Sequence, residues 1–379
     1  IADTPLLMAL PLFTLTGYVM AESRTSTRLV RLTQVFLGWM PGGLVVVSLV
    51  ACALFTAFTG ASGVTIVALG ALLLPALTQA AYSEKFSLGI VTTSGSLGLL
   101  LPPSIPLVLY GIVAQQLNLG IHIRIEDLFR AGILPGLLMI VMLTGWSLWT
   151  ARGTPVVRTQ FSLRQAIAAL REAFWELPLP LFILIGVYSG FLAISEAAAV
   201  AALYVIVVET FVYREIKLSQ LPAIIRKSML VCGGILLIIG VSLASTNYLI
   251  DAQVPMQLFA FIQEHVTSRL TFLILLNLLL LALGAILDIF SALVIMVPLI
   301  LPVAVEYGVD PVHLGIIFLA NMQIGYFTPP VGMNLFIASY RFKLPVAEIY
   351  RATLPFMAVL LAALVVITYW PELSLVFVR

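Results

Sequence analysis

Charge is what this sequence lacks most. Asp, Glu, Lys and Arg make up 9% of its 379 residues, against roughly 25% in a soluble globular chain. Hydrophobic residues make up 61%, and mean hydropathy is +1.13. This excludes a soluble enzyme and a disordered chain. A basic excess is lacking too. The net charge of +2 leaves no stripe of Lys and Arg for phosphates, so nucleic acid is no partner. The two cysteines, Cys52 and Cys232, lie inside apolar runs and give neither a disulfide framework nor metal-ligand spacing. The alternating ten-residue strands of a membrane barrel are missing. What is present are long unbroken apolar runs, which define an all-α polytopic membrane protein in a lipid bilayer.

No Asp, Glu, Lys or Arg occurs in 32–83, 86–123, 131–151, 177–195, 228–250, 270–287, 289–305, 311–340 or 352–371. A bilayer crossing takes about 20 apolar residues, so most windows hold one. The 32–83 window is long enough for two, yet its middle is Thr59-Gly60-Ala61-Ser62-Gly63, with no polar loop. The 270–305 stretch holds two short passes, broken near Gly284 and Asp288. We read about 41–80 and about 270–305 as hairpins whose ends share one side. Crossings are then 5–21, 86–114, 128–150, 177–193, 197–213, 228–250, 312–340 and 352–370. One side receives the loops with 15 of the 19 basic residues, among them Arg24, Arg28, Arg31, Arg226 and Lys227. By the positive-inside rule that side is cytoplasmic. The two hairpins therefore enter from opposite faces, either halfway or fully.

Gly98-Leu99-Leu100-Leu101-Pro102-Pro103 reads like Gly325-Tyr326-Phe327-Thr328-Pro329-Pro330, 227 residues later, and the same offset takes Leu74-Pro75 to Leu301-Pro302. Each Pro-Pro lies in a long charge-free window behind a hairpin. Inverted repeats with broken helices are the pattern of secondary transporters. The expected division is a first repeat over 1–150 (broken helix 86–114), an amphipathic arm at 151–176 and a second repeat over 177–379 (broken helix 312–340). The second repeat opens with two crossings that have no counterpart in the first, which implies about 50 further N-terminal residues. Within the arm, Arg164, Arg171, Glu172 and Glu176 oppose a stripe of Phe161, Ile167, Leu170 and Phe174, as in a surface-lying helix.

Proline removes a backbone donor and frees a carbonyl. Inside a bilayer such carbonyls are tolerated where they line a cavity or bind a cation. Two breaks, each with Gly and hydroxyl residues, therefore make candidate sodium cages. The hairpin tips add Ser62 and Gly63 in one, Asp288 and Ser291 in the other. Half-helix N-termini at the breaks suit an anionic substrate. Asp288 is read as the only acid deep in an apolar window; it could ligate sodium, carry a proton or cap a helix. Glu196 is expected to cap or flank a helix N-terminus.

These residues resemble a known family along essentially the whole chain. The resemblance is carried by Pro11-Leu12-Phe13, Phe58-Thr59-Gly60-Ala61-Ser62-Gly63, Pro102-Pro103-Ser104-Ile105-Pro106, Ala131-Gly132-Ile133-Leu134-Pro135-Gly136, Ser195-Glu196-Ala197-Ala198-Ala199 and Thr328-Pro329-Pro330-Val331-Gly332-Met333-Asn334. It is to the large permease subunit of tripartite ATP-independent periplasmic (TRAP) transporters, in the ion transporter superfamily. The resemblance implies an elevator-type, sodium-coupled importer of the bacterial inner membrane. A small four-helix membrane subunit would join it. A periplasmic substrate-binding protein would deliver a small organic anion such as a C4-dicarboxylate, 2-oxo acid or sugar acid. Carried over, the first sodium site would use Ser62, Gly63, Ser94, Gly98 and Pro102. The second would use Asp288, Gly325, Thr328 and Met333. Substrate would lie near Gly60, Thr65, Pro103, Pro330 and Asn334. No cofactor beyond the coupling ion is implied. The family commonly has a second hydroxyl two residues after the first tip serine; here that position is Val64, with Thr65 as its candidate replacement.

Two other readings compete. Gly60-Ala61-Ser62-Gly63 matches the GxSG of an intramembrane serine protease, but the nucleophile needs a base within reach, and His122, His265 and His313 lie at or beyond window ends. The second is a carrier coupled to protons through Asp288.

Overall fold

The structure is a computed structural model that describes residues 8–40, 42–117, 123–150, 162–266 and 268–378. Every regular element among the described residues is helical. Seven helices are long and apolar enough to cross a membrane, eight if one bent pair counts as a span. Exposed Leu230 and Leu237 on one helix and Leu278 and Ile286 on another leave apolar faces that suit lipid rather than water.

The chain opens with α1 (Ala9–Glu22) and α2 (Thr25–Leu37). The first hairpin follows as α3 (Gly43–Thr59) and α4 (Ser62–Gln79). Its tip is two residues, and Gly60 turns it at φ +63°, a conformation that glycine adopts without steric cost. A Cβ there would also meet the Ile105 side chain at 2.7 Å. Next come α5 (Glu84–Ser94), a 3-10 turn over Leu97–Leu100 and α6 (Ile105–Gln116). The axis bends by 42° across this break, where Pro102-Pro103 is cis. The long α7 (Ile125–Thr150) ends this half.

The second half begins with α8 (Leu163–Glu172), α9 (Pro178–Tyr188) and α10 (Ile194–Val207), the last running into a π-helical turn, Val208–Val212. Then come α11 (Leu221–Asp251) and α12 (Val254–His265). The second hairpin is α13 (Arg269–Ile286) and α14 (Ile289–Glu306). The second broken helix is α15 (Pro311–Gly325) and α16 (Met333–Phe342), with cis Pro329-Pro330 between them. The chain closes with α17 (Val346–Tyr369) and the short α18 (Glu372–Leu375).

Hairpins and breaks pack reciprocally. The second arm of each hairpin lies on the half-helix after the other break, α4 on α16 and α14 on α6. Each first arm takes a glycine of its own repeat's broken helix. A Cβ on Gly98 would stand 2.1 Å from the Ala53 carbonyl oxygen, and one on Gly325 2.5 Å from the Gly284 carbonyl carbon. Pro75 and Pro302 sit inside α4 and α14, 227 residues apart. The mean apolar density of these elements, not amphipathicity, makes them helices; backbone groups in lipid must pair within the segment.

Three expectations change. Residues 22–40, expected as a loop of basic residues, contain the amphipathic α2, which buries Leu29, Leu32 and also Arg28. The arm is helical over Leu163–Glu172, with Ala166 and Ala169 buried and Leu163, Ile167, Leu170 and Phe174 exposed. Phe161 and the arm residues before it, like His122, lie outside the described residues. Glu176, expected on the polar face of that arm, lies past α8 and is buried against Arg28 at 2.5 Å. Asp288 is also not alone among acids in the spans, because Glu209 is buried at the end of the span begun by α10. Glu196 accepts from the Ala193 amide at 2.9 Å, as a helix-start cap does.

Candidate functional site

The tips and the second break enclose a cavity of about 880 Å³. Gly60, Ala61, Ser62, Gly63 and Val64 line it from the first hairpin. Asp288 and Phe290 line it from the second, and Tyr326, Met333, Phe336 and Ile337 from the second broken helix. Tyr18, Ala21 and Glu22 of α1 and Lys227 of α11 form the facing wall.

Of the residues expected to bind sodium or substrate, Gly60, Ser62, Gly63, Asp288 and Met333 border this cavity. Asn334 joins them: its Oδ1 accepts from the Ser62 hydroxyl at 2.8 Å, tying the first tip to the second break. The Asn334 side-chain nitrogen, Nδ2, is buried without a hydrogen-bond partner. Ser94, Gly98, Pro102, Pro103, Thr65, Gly325, Thr328 and Pro330 do not line it. Gly98 and Gly325 serve close backbone packing. Ser94 is fully buried, and its hydroxyl donates to the Val91 carbonyl at 3.4 Å. The Thr328 hydroxyl bonds the Ile324 carbonyl at 2.9 Å and faces Met357 Sδ at 3.5 Å, toward α17 rather than the second tip. Pro330 is exposed.

Thr65 belongs to a different cluster. Its hydroxyl lies 2.7 Å from that of Thr56, which lies 2.9 Å from the Gly95 carbonyl and 2.8 Å from the Cys52 carbonyl. All of this is buried. A Cβ built on Gly95 would reach the Ser62 carbonyl at 3.2 Å. Hydroxyl and carbonyl oxygens from α3, α4 and the first break thus converge behind the tip. Hard cations take such oxygen ligands. Thr56 was missed from sequence; a threonine in an apolar helix ordinarily returns its hydroxyl to the carbonyl four residues back, and nothing local marks a second partner.

The corresponding place in the second repeat is built differently. Leu283 and Ala292 stand where the offset puts Thr56 and Thr65. Polar contacts come instead from Tyr326, whose hydroxyl accepts from the Ile289 amide at 2.9 Å, and from Asp288. Asp288 Oδ1 accepts from the Phe290 and Ser291 amides at 3.0 Å each, and Oδ2 from the Ser291 hydroxyl. Of its three roles open from sequence, capping of α14 is the one the geometry displays. The Gly332 amide ties the break to the tip through the Ala285 carbonyl at 2.9 Å.

Among the described residues the protease reading finds no base. Ser62 is paired to a side-chain amide, no histidine is among the described residues of the cavity lining, and His313 is held by Ser374 and the Thr368 carbonyl at 3.2 Å each.

Two hairpins whose tips meet at one cavity, in a chain with two Pro-Pro-broken helices of which the second borders that cavity, define a secondary transporter of the broken-helix class. The family model described as "Tripartite ATP-independent periplasmic transporter, DctM component" matches residues 2–373. The chain belongs to that family: it is a TRAP large permease, not an enzyme, and a multi-pass protein of the bacterial inner membrane. It is 36% identical to the C4-dicarboxylate TRAP transporter large permease protein DctM of Pseudomonas aeruginosa, over 97% of this chain and 85% of that protein. It is 34% identical to the isethionate TRAP transporter permease protein DctMQ of Oleidesulfovibrio alaskensis, over 98% of this chain and 58% of that one. Among solved structures, the Alcanivorax borkumensis YdaH transporter shares the fold, with a TM-score of 0.69 at 14% identity over 98% of this chain and 86% of that chain.

Proposed function

We propose that this permease imports a small organic anion, a C4-dicarboxylate first among candidates, coupled to sodium and by an elevator movement of hairpins and broken helices against α1 and α11. A small four-helix membrane subunit completes the transporter, and a periplasmic binding protein delivers the substrate. The substrate class rests on the names of the relatives, two of which, at 36% and 35% identity, are C4-dicarboxylate permeases. Sodium coupling rests on the buried oxygen cluster of Thr56, Thr65 and the Gly95 carbonyl, which carries the proposal. It lies behind the tip residue Ser62, so an ion there would stiffen the tip that borders the cavity. The substrate would meet the N-terminus of α4 at Ser62 and Gly63, where free amides and the helix dipole favour negative charge.

The test is uptake of labelled succinate into proteoliposomes holding the full transporter and loaded binding protein. An inward sodium gradient should drive uptake. Thr56→Val with Thr65→Val should abolish the sodium dependence while the protein still folds. Uptake driven by a proton gradient alone would overturn sodium coupling.

A further inference from the structure

The cavity is poor in positive charge for an anion carrier. Lys227 is the one cationic side chain in its described lining. It projects from the start of α11, and its Nζ lies 2.6 Å from Glu22 Oε1 at the end of α1. Both side chains stay accessible, at 59% and 43% relative exposure. The pair belongs to the cavity lining and stands beside Arg226 and near Arg24 in sequence, on the side the basic residues mark as cytoplasmic. Of the other polar side chains in the lining, Asp288 caps α14, Ser62 is bonded to Asn334 and the Tyr326 hydroxyl takes the Ile289 amide, which leaves the uncharged phenols of Tyr18 and Tyr340. Around them the wall is apolar, with Val64, Val67, Phe290, Phe336 and Ile337. An anion leaving water for such a wall needs a countercharge.

We propose that Lys227 is the substrate-binding cation on the α1–α11 side of the cavity, and that Glu22 is its intramolecular competitor. A substrate carboxylate takes the Lys227 ammonium from Glu22 while it occupies the cavity. Glu22 takes it back as the anion leaves to the cytoplasm. One carboxylate replaces another on one ammonium, so the lysine is never left unpaired, and the displaced Glu22 carboxylate, 43% exposed, turns to water. An ammonium has three donors and Glu22 engages one, which lets the incoming carboxylate bind before Glu22 lets go. α1 and α11 pack on one another, so the pair belongs to the wall against which the tips would move. The assignment rests on the anion-import reading above.

The experiment reads charge selectivity in the cavity directly. Ala21, next to Glu22 in the lining, carries the probe as Ala21→Cys in the full transporter; native Cys52 and Cys232 are buried. In inside-out vesicles, the introduced thiol is reacted with an anionic and a cationic methanethiosulfonate of similar size. The ratio of the anionic to the cationic rate should fall on the order of tenfold in Lys227→Gln, as expected for loss of a unit charge from a wet site. It should rise in Glu22→Gln and stay near the parent value in Lys227→Arg. A ratio unchanged across all variants, or an introduced thiol that neither reagent modifies, would overturn the assignment. Succinate uptake is measured in parallel, and Lys227→Gln should raise its KM more than it lowers its maximal rate. A charge-dependent ratio without sodium-driven succinate uptake in the parent would sink the proposed function and leave Lys227 standing. Sodium-driven uptake with an unchanged ratio would do the reverse.

Discussion

The Ser96 hydroxyl donates to the Gln323 carbonyl at 3.2 Å, across 227 residues of sequence. That separation is the offset between the two Pro-Pro motifs. Residues equivalent in two copies of a repeat touch one another only where the axis relating the copies passes between them. The reciprocal packing of α4 on α16 and α14 on α6 has the same origin. The contact also closes a gap in the backbone. The Phe327 amide bonds the Ile324 carbonyl, three residues back, which leaves the Gln323 carbonyl outside the α-helical ladder.

Removing this hydroxyl should therefore destabilise the junction of the repeats. Ser96→Ala leaves a buried carbonyl unpaired, at a cost of about 1–3 kcal/mol. Ser96→Thr keeps a donor. Thermal unfolding of detergent-solubilised protein should rank wild type above Ser96→Thr and Ser96→Ala last. Equal midpoints for wild type and Ser96→Ala would mean that the carbonyl has another partner.

Gly98 and Gly325 should be intolerant of alanine for one shared reason. The new methyl would meet backbone, the Ala53 oxygen at 2.1 Å in one case and the Gly284 carbon at 2.5 Å in the other, and backbone cannot rotate away. Each substitution should cost at least the ~1–3 kcal/mol of an overpacked core. Gly145 is the control. It is exposed in α7 with no heavy atom within 4 Å of a built Cβ, so Gly145→Ala should be neutral or stabilise by up to about 1 kcal/mol. The yield of monodisperse protein on size exclusion after heating distinguishes the three.

The hairpins and breaks were legible because lipid leaves so few options. A charge-free run twice the length of a span, with Gly-Ala-Ser-Gly at its centre, has to turn inside its own apolar stretch. A Pro-Pro pair has to release carbonyls there. The charged interior was not legible. Arg28 reads as one more cytoplasmic arginine, yet its guanidinium meets Glu176, Glu209 and Glu215, which lie 148, 181 and 187 residues away. No local pattern encodes a contact of that range. Lys227 likewise reads as topology signal and enters the cavity wall only because α11 packs on α1. Thr56 and Thr65 look like back-bonded threonines until α5 brings the Gly95 carbonyl to them.

That buried cluster predicts a large effect. Burial by itself lowers the proton affinity of the Arg28 guanidinium, but hydrogen bonds and charge from Glu176, Glu215 and Glu209 outweigh it and hold the group above its ordinary value. The Tyr213 ring stacks 4.0 Å from its carbon Cζ. Arg28→Met strands three carboxylates, two of them nearly inaccessible, and should cost about 3–5 kcal/mol. Arg28→Lys should recover part of this, since an ammonium cannot serve three carboxylates as a planar fork does. Thermal unfolding in detergent should rank wild type first, Arg28→Lys second and Arg28→Met last; equal midpoints for wild type and Arg28→Met would mean that the carboxylates have another partner.

Asp288 separates capping from proton carriage. Its Oδ1 serves the Phe290 and Ser291 amides, and its Oδ2 takes the Ser291 hydroxyl. An asparagine oxygen can accept the same amide bonds, and Asn and Asp are about equal as helix caps. Asp288→Asn should therefore fold and keep sodium-driven uptake within about threefold of wild type, as befits a cap of equal quality. Asp288→Ala loses the cap, about 1 kcal/mol at the tip, and should slow uptake through a looser second hairpin. A proton-carrying carboxylate would give the opposite order of severity: asparagine cannot titrate, so Asp288→Asn would stop transport as completely as Asp288→Ala. Uptake by the two variants side by side, under one sodium gradient, decides which of these the carboxylate does.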